Sequence, residues 1–476
     1  MNPTTSKARR QRTAVLIALC VAAAALAGFL GGRAWMEYRY PMLKNPAFHN
    51  LDAAYKEILG DYLNGAEADD LIHGAAEGMT ASLKDPYSVY LSGEQGENYV
   101  QRYEDHFVGI GVELREEDGQ FVINSAIKGQ PAEKAGLLKE DVIEAVDGVS
   151  LKGKTLDELV KLTRGAEGSK VKLTIRREGL AEPFDVTIIR ARVPVTTVTS
   201  ELLAGGIGRV QISRFADNTA KEFDTAVETL RKQGMKGLLL DLRMNPGGLV
   251  KPTIDIANRL VPKGKVILQV AYKENARTVT YKSQQKEPWT LPIVVLVDES
   301  SASSAEVLAA ALKESAGAEL VGMKTFGKGV VQTFRQFEDG SVLKLTESQW
   351  RTPGGVWIHN TGIEPQVKVE MPAFARLPVL PTDRKLGVGE YGQDVKAAEE
   401  MLAALGYDVG KPEGIFDEST ARGVADFQRA QRINADGIIN SRTARVLMER
   451  LREKIAKDDP QLHAGIAALR KKLEVS

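Results

Sequence analysis

A cluster of hydroxyls and one lysine set the chemistry open to this protein. Ser300, Ser301, Ser303 and Ser304 stand where the apolar run at residues 293–297 gives way to Val307, Leu308, Ala311 and Leu312 at helical spacing. A strand-to-helix turn of this kind exposes a side chain and points main-chain N–H groups at nearby negative charge. Lys328 follows a second apolar run, residues 320–323, and sits between Gly327 and Gly329. A hydroxyl attacks a carbonyl only when a neutral base accepts its proton, and lysine can serve when its surroundings are apolar. That pairing would hydrolyse an acyl bond through a covalent intermediate. The rival base is His359, since His49, His73, His106 and His463 all lie outside this region. No Cys, His and carboxylate cluster has metal-ligand spacing, so no cofactor is expected.

The elements around these residues alternate. Residues 207–212 read as a strand. Residues 219–233 form an amphipathic segment with Phe223, Val227 and Leu230 on one face. Residues 237–242 (GLLLDL) are nearly all apolar, as in a strand buried on both faces. This alternation predicts an α/β core.

The phrases S-A-S-S-A-E (301–306) and T-F-G-K-G-V-V-Q (325–332) resemble the signature of the C-terminal processing, or tail-specific, serine peptidases of S41 type. In that family's S-A-S-A-S-E pattern the middle serine is the nucleophile. The lysine lies 25 residues on and a glutamine four beyond it. Carried over, these are Ser303, Lys328 (328 − 303 = 25) and Gln332 (332 − 328 = 4). Ser304-Ala305 replaces Ala-Ser here, so Ser304 is a rival nucleophile, although spacing favours Ser303. D-L-R-M-N-P-G-G (241–248) resembles the family's D-L-R-x-N-P-G-G loop. A tetrahedral intermediate needs two preorganised N–H donors. The resemblance implies one from Gly247 or Gly248 and one from Ser304. Glu306 and Thr325 match positions near the site, where they would orient the helix start and Lys328, and Gln332 would orient the lysine.

The remaining sequence divides into expected modules. Lys7, Arg9, Arg10 and Arg12 precede an uncharged run, residues 13–32, about the ~20 residues that span a bilayer. Trp35, Tyr38 and Tyr40 follow as interfacial aromatics. Residues 1–40 are therefore expected to be a cytoplasmic tail and signal anchor, placing the remainder outside the cell membrane on a single span. Ala25-Leu26-Ala27 leaves a cleaved signal peptide as the alternative. Residues 41–100 read as a helical cap that resembles the segment preceding the PDZ domain in the same family, and packing or homodimer contacts are its expected role. Residues 101–190 resemble a PDZ domain of the permuted, protease-associated type. Such a domain binds the C-terminus of a polypeptide as an added strand, its carboxylate held by a Gly-bearing loop, here Val108, Gly109 and Ile110. Arg164 is a candidate for coupling this domain to the site, as a gate.

Residues 191–371 are the expected protease core and 372–388 a proline-bearing linker. Residues 389–450 resemble the three-helix peptidoglycan-binding domain, with Glu399-Glu400 where a glutamine is usual. Residues 451–476 read as a charged, helical tail without an assigned role.

Lys+Arg and Asp+Glu balance at 63 each, which gives no basic signal for nucleic acid. The one cysteine, Cys20, excludes intramolecular disulfides. The fold class expected is multidomain α/β: membrane helix, helical cap, PDZ-like domain, α/β serine protease core and C-terminal three-helix module. The function expected is a membrane-anchored endopeptidase that takes proteins with exposed C-termini, in regulated signalling cleavage or general degradation. The alternative is a non-catalytic scaffold that binds peptide tails and cell wall.

Overall fold

The computed structural model describes residues 3–101, 104–117, 119–273 and 277–475. The protein forms two compact units, Met1–Ser92 and Gly93–Ser476. The expected cap ran to residue 100, whereas the helix Gly93–Gln101 belongs to the second unit.

The N-terminal unit begins with the helix Pro3–Arg39. Within it Leu19–Arg39 is long and apolar enough to cross a membrane, and none of that segment is buried. The side chains of Lys7, Arg9, Arg10 and Arg12 lie outside the described ones. Helices Ala47–Asp61 and Ala68–Ala81 follow, matching the apolar spacing read from the sequence. The turn after them is fixed by Asp85, whose carboxylate accepts from Tyr87 N and Ser88 Oγ. Leu51, Ile58, Leu59, Ile72 and Met79 stay exposed on this unit.

In the second unit, six antiparallel strands form the PDZ sheet: Val112–Glu117, Gln120–Ala126, Val142–Val146, Lys170–Arg176 and Phe184–Ile189 in that order, with Val149–Ser150 paired to Val142–Val146 off that path. Phe121, Ile123, Ile143, Leu159, Leu173 and Ile175 fill its core. The helix Leu156–Thr163 starts with a capping box between Thr155 and Glu158, the S/T-x-x-E pattern acting on two otherwise unpaired N–H groups. The segment expected to hold a carboxylate runs out of a strand. Val108 and Gly109 end a strand, His106–Gly109, that pairs with Ala191–Pro194. Ile110 is buried, and its carbonyl accepts from Ala132 N. Val112–Glu117 is the edge strand beyond them.

The protease core is a six-stranded sheet in the order Val198–Leu203, Ile207–Ile212, Gly237–Asp241, Ile293–Val297, Glu319–Gly322 and Val367–Lys368. The first pair is antiparallel and the other four pairs are parallel. Every residue of Gly237–Asp241 and Ile293–Val297 is buried, as parallel strands covered on both faces require. Alternation sorts their side chains. Leu238, Leu240, Val295 and Val297 join the core shared with helices Thr219–Lys232, Val250–Leu260 and Ser304–Ser315. Leu239, Val294 and Leu296 face the opposite way, onto Leu469 and its neighbours Leu462, Ala464, Ile466 and Leu473. The tail, expected to be charged and helical with no assigned role, covers one face of the sheet: its last helix, Pro460–Val475, lies apolar side down on the catalytic sheet.

Helices Gln393–Ala404, Glu418–Ala430 and Ser441–Lys457 form the C-terminal module around Val395, Leu402, Val424, Phe427 and Leu447. Glu399, the residue that departs from the family pattern, is 1% exposed. Its two oxygens accept from Gly414 N at 2.8 Å and Thr420 Oγ1 at 2.9 Å, so the carboxylate fastens a loop and the first turn of the next helix. Burial pushes this carboxyl above the usual range.

Candidate active site

Ser303 occupies the turn between the Ile293–Val297 strand and the Ser304–Ser315 helix, with φ 54° and ψ −115°. A non-glycine residue at positive φ costs on the order of 1–3 kcal/mol and persists only where its surroundings impose it. Three hydrogen bonds impose it here. Ala302 N donates to Asn245 O at 2.9 Å and Ser303 N donates to Glu306 Oε2 at 2.8 Å. Ser301 Oγ donates to Leu242 O at 2.8 Å, tying the turn to the neighbouring strand end.

The two candidate hydroxyls differ. Ser304 is 1% exposed, and its Oγ donates to Gly248 O at 2.9 Å. Ser303 is only half-buried and lines a cavity of about 130 Å³ together with Lys328, Gln332 and Gly248. Leu249, Leu268, Val307 and Val331 supply much of the apolar wall, and Tyr99, Phe334 and Lys344 stand at the same cavity. His359 is not among the lining residues. Its Nδ1 accepts from Gly329 N at 3.3 Å and its ring stacks on Trp357. That contact gives it a place in holding the lysine loop.

The lysine loop is strapped down along its backbone. Gly327 N donates to Glu306 Oε1 at 2.7 Å and Lys328 N to Glu306 Oε2 at 2.8 Å. The carbonyls of Lys328 and Gly329 accept from the indole N–H groups of Trp350 and Trp357, each at 2.8 Å. Gly327 has φ +90°, and a Cβ there would meet Gly362 N at 2.8 Å, so only glycine fits. Gln332 Nε2 donates to Thr346 Oγ1 at 3.2 Å, which holds its amide on the facing strand.

Glu306 gathers these pieces. Its side chain is fully buried and accepts four hydrogen bonds, from Thr325 Oγ1, Gly327 N, Lys328 N and Ser303 N. Burial pushes its carboxyl above the usual range against the pull of those four donors. Thr325 Oγ1 in turn accepts from Ile363 N at 2.7 Å.

The glycine pair resolves into two different roles. Gly247 N is taken by Asn245 Oδ1 at 2.8 Å. Among the described residues the N–H groups of Gly248 and Ser304 have no acceptor. Gly247 instead supplies closeness: a Cβ there would lie 2.9 Å from Ser303 Cβ and 2.7 Å from Ala302 O. Asn245, fully buried, also donates from Nδ2 to Ile212 O at 2.8 Å. The sequence did not single out Asn245, Trp350 or Trp357. Asn245 stands in the D-L-R-M-N-P-G-G loop, but nothing local says that its side chain would be consumed by its own turn and a neighbouring strand.

Asp241 and Arg243 continue the same loop inward. Arg243 Nε and Nη2 donate to the two Asp241 oxygens at 2.9 and 2.8 Å, and Arg209 Nη2 also donates to Asp241, at 2.9 Å. Burial alone would raise Asp241, but the two guanidinium groups hold its carboxyl below the usual range.

Arg164 caps the PDZ helix and donates from Nη1 to Gln101 Oε1 at 3.0 Å, on the helix whose Tyr99 reaches the cavity.

A parallel α/β sheet with a serine at a strained strand-to-helix turn, two unpaired N–H groups beside it and a lysine on the same cavity is the framework of a serine hydrolase, here with a PDZ domain attached. Residues 206–369 match the model of peptidase family S41, residues 122–177 a PDZ domain, residues 391–447 a putative peptidoglycan binding domain, and residues 37–95 the N-terminal domain of the activating protease CtpB. The protein belongs to the S41 family, among its C-terminal processing serine proteases. It is 42% identical to the carboxy-terminal processing protease CtpA of Bacillus subtilis (strain 168) over 459 residues, covering 96% of this sequence and 98% of that protein. It is 39% identical to a probable CtpA-like serine protease of Staphylococcus aureus (strain N315), covering 89% of this sequence and 85% of that one. The solved photosystem II D1 C-terminal processing protease aligns at 29% identity over 72% of this sequence and 93% of its own, with a TM-score of 0.41.

Proposed function

We propose that Ser303 is the nucleophile of this protease, Lys328 its base and Gln332 the residue that orients the lysine. The N–H groups of Gly248 and Ser304 hold the oxyanion. The observation that carries this reading is the shared cavity of Ser303, Lys328, Gln332 and Gly248. Ser303 Oγ attacks the scissile carbonyl as Lys328 Nζ takes its proton. Lys328 returns the proton to the leaving amine, and water then releases the acyl group by the reverse roles. Glu306 and Thr325 hold serine and lysine in register without touching substrate.

The PDZ edge strand Val112–Glu117 suits a substrate tail added as a further strand, with Gly109 and Ile110 just before it. Arg164 and Gln101 are the proposed link from that domain to Tyr99 at the cavity, and so to gating. Leu19–Arg39 supports an uncleaved membrane anchor with the protease outside the cell, and the C-terminal module supports peptidoglycan as a partner. The exposed Leu51, Ile58 and Leu59 support dimer contacts through the cap.

The test is hydrolysis of an unstructured peptide with an apolar C-terminus. Ser303→Ala and Lys328→Ala are expected to abolish turnover while His359→Ala retains it. Turnover by Ser303→Ala or Lys328→Ala at the wild-type rate would refute the assignment.

A further inference from the structure

We propose that Asp459, in the C-terminal segment, is a positioning residue for the oxyanion loop; the inference rests on the Ser303 mechanism proposed above. Asp459 lies between the helices Ser441–Lys457 and Pro460–Val475, 216 residues from its partner. That partner is Arg243, at the entrance to the Met244–Gly248 turn. Arg243 Nη1 donates to Asp459 Oδ1 at 2.9 Å and to Gln461 Oε1 at 3.2 Å. Its Nε and Nη2 donate to Asp241, so all three guanidinium nitrogens are engaged. Arg243 is 9% and Asp459 6% exposed, so water does not stand in for a lost partner.

The geometry explains why this contact reaches the chemistry. Arg243 is bonded to Met244, a non-glycine at φ 58°, whose N–H is held by Asp298. Asn245 follows, fixing Gly247 N and Ala302 N, and Gly248 closes the turn beside Ser303. The loop is short and hydrogen-bonded at Met244, Asn245 and Gly247, so a displaced Arg243 moves Gly248 N relative to Ser304 N. An oxyanion hole depends on the spacing of its two donors, and ångström-scale errors there cost rate rather than affinity. The charges point the same way. Asp241 faces two guanidinium groups, Arg209 and Arg243; Arg209 has a second carboxylate in Glu201, and Asp459 is the second carboxylate on Arg243. The segment is held in place independently: Gln461 Nε2 donates to Val369 O at 2.9 Å, and Leu469 packs on Leu239 and Leu296. The tail therefore presents Asp459 as a fixed strut.

The experiment uses the full-length protein, a peptide substrate, and a fluorophosphonate that labels a serine only when the oxyanion hole is formed. Wild type labelled and Ser303→Ala unlabelled establishes the underlying mechanism; failure at that step counts against the Ser303 assignment and not against the strut. Asp459→Asn is then expected to lower kcat and the labelling rate together by about tenfold, with KM within about twofold of wild type, given that an entire lost oxyanion donor costs roughly 10²–10³. Arg243→Lys, which loses the fork, should give a similar loss, and the double variant should be no worse than either alone. Gln461→Met is the second probe and should lower kcat by a few-fold without changing KM. Wild-type kcat in Asp459→Asn, or a loss no larger than its fall in folded fraction by circular dichroism, would overturn the proposal. If Asp459→Asn does not fold, an unaffected Gln461→Met overturns it.

Discussion

Ser303 and Lys328 donate their backbone N–H groups to the same carboxylate oxygen, Oε2 of Glu306, each at 2.8 Å. The two residues proposed to exchange a proton are thus held by one acceptor at the start of the Ser304–Ser315 helix. The helix N-terminus favours a negative charge there, which suits a carboxylate. Glu306→Gln replaces one oxygen with an N–H donor. Either the Ser303 and Lys328 pair or the Thr325 and Gly327 pair then loses its acceptor. At about 1–3 kcal/mol for each buried unsatisfied donor, unfolding free energy should fall by about 2–6 kcal/mol. Chemical denaturation measures it. Turnover should fall as well, because serine and lysine lose their common tether.

Two buried carboxyls give opposite pH dependences. Burial raises Glu306 above its ordinary 4.5, so its contribution to folding is fully present below 4.5 and is given up as pH rises through the raised value. Asp241, which burial would raise, is held below its ordinary 3.8 by Arg243 and Arg209. Its contribution is present above 3.8 and lost as pH falls through the depressed value. Asp241→Asn should therefore flatten the acid limb of a Tm-against-pH curve and lower Tm at neutral pH. An acid limb unchanged in that variant would exclude the Arg243–Asp241–Arg209 group as its source.

Ser304→Ala separates hydroxyl from backbone. The variant keeps the Ser304 N–H and loses the Oγ contact with Gly248 O, a net loss of about 1 kcal/mol. Turnover should stay within about tenfold of wild type, and fluorophosphonate labelling should still occur. Loss of labelling would transfer the nucleophile to Ser304.

Gly247→Ala should be far more damaging than its size suggests. Gly247 has φ +99°, and a methyl there meets Ala302 O at 2.7 Å and Ser303 Cβ at 2.9 Å, neither of which is the free end of a flexible side chain. Strain of about 1–3 kcal/mol adds to that contact. A lower Tm with turnover reduced by more than about tenfold is expected. Steady-state kinetics on the folded fraction would show whether the turn at Ser303 has shifted.

Much of the site was legible because its parts are local. The serine turn, the lysine between glycines and the N-P-G-G loop are each contiguous, and the strand-helix alternation that presents them follows from periodicity alone. The spacing of Ser303, Lys328 and Gln332 is matched through the resemblance to the family pattern, across the helix Ser304–Ser315 and the strand Glu319–Gly322. Sequence alone also marked the apolar run at 13–32 and the order of modules.

What only the tertiary structure decided depends on which groups use up which partners. Ser304 is separated from Ser303 by a hydrogen bond to Gly248 O, a residue 56 positions earlier. Gly247 is separated from Gly248 by the side chain of Asn245, whose own orientation is set by a strand at Ile212. The C-terminal helix read as charged because its lysines and arginine are conspicuous, while the face carrying Leu462, Ile466 and Leu469 has meaning only against Leu239 and Leu296. Spacing is a property of the sequence, whereas burial and hydrogen-bond saturation are properties of contacts such as Arg243–Asp459, which no local pattern encodes.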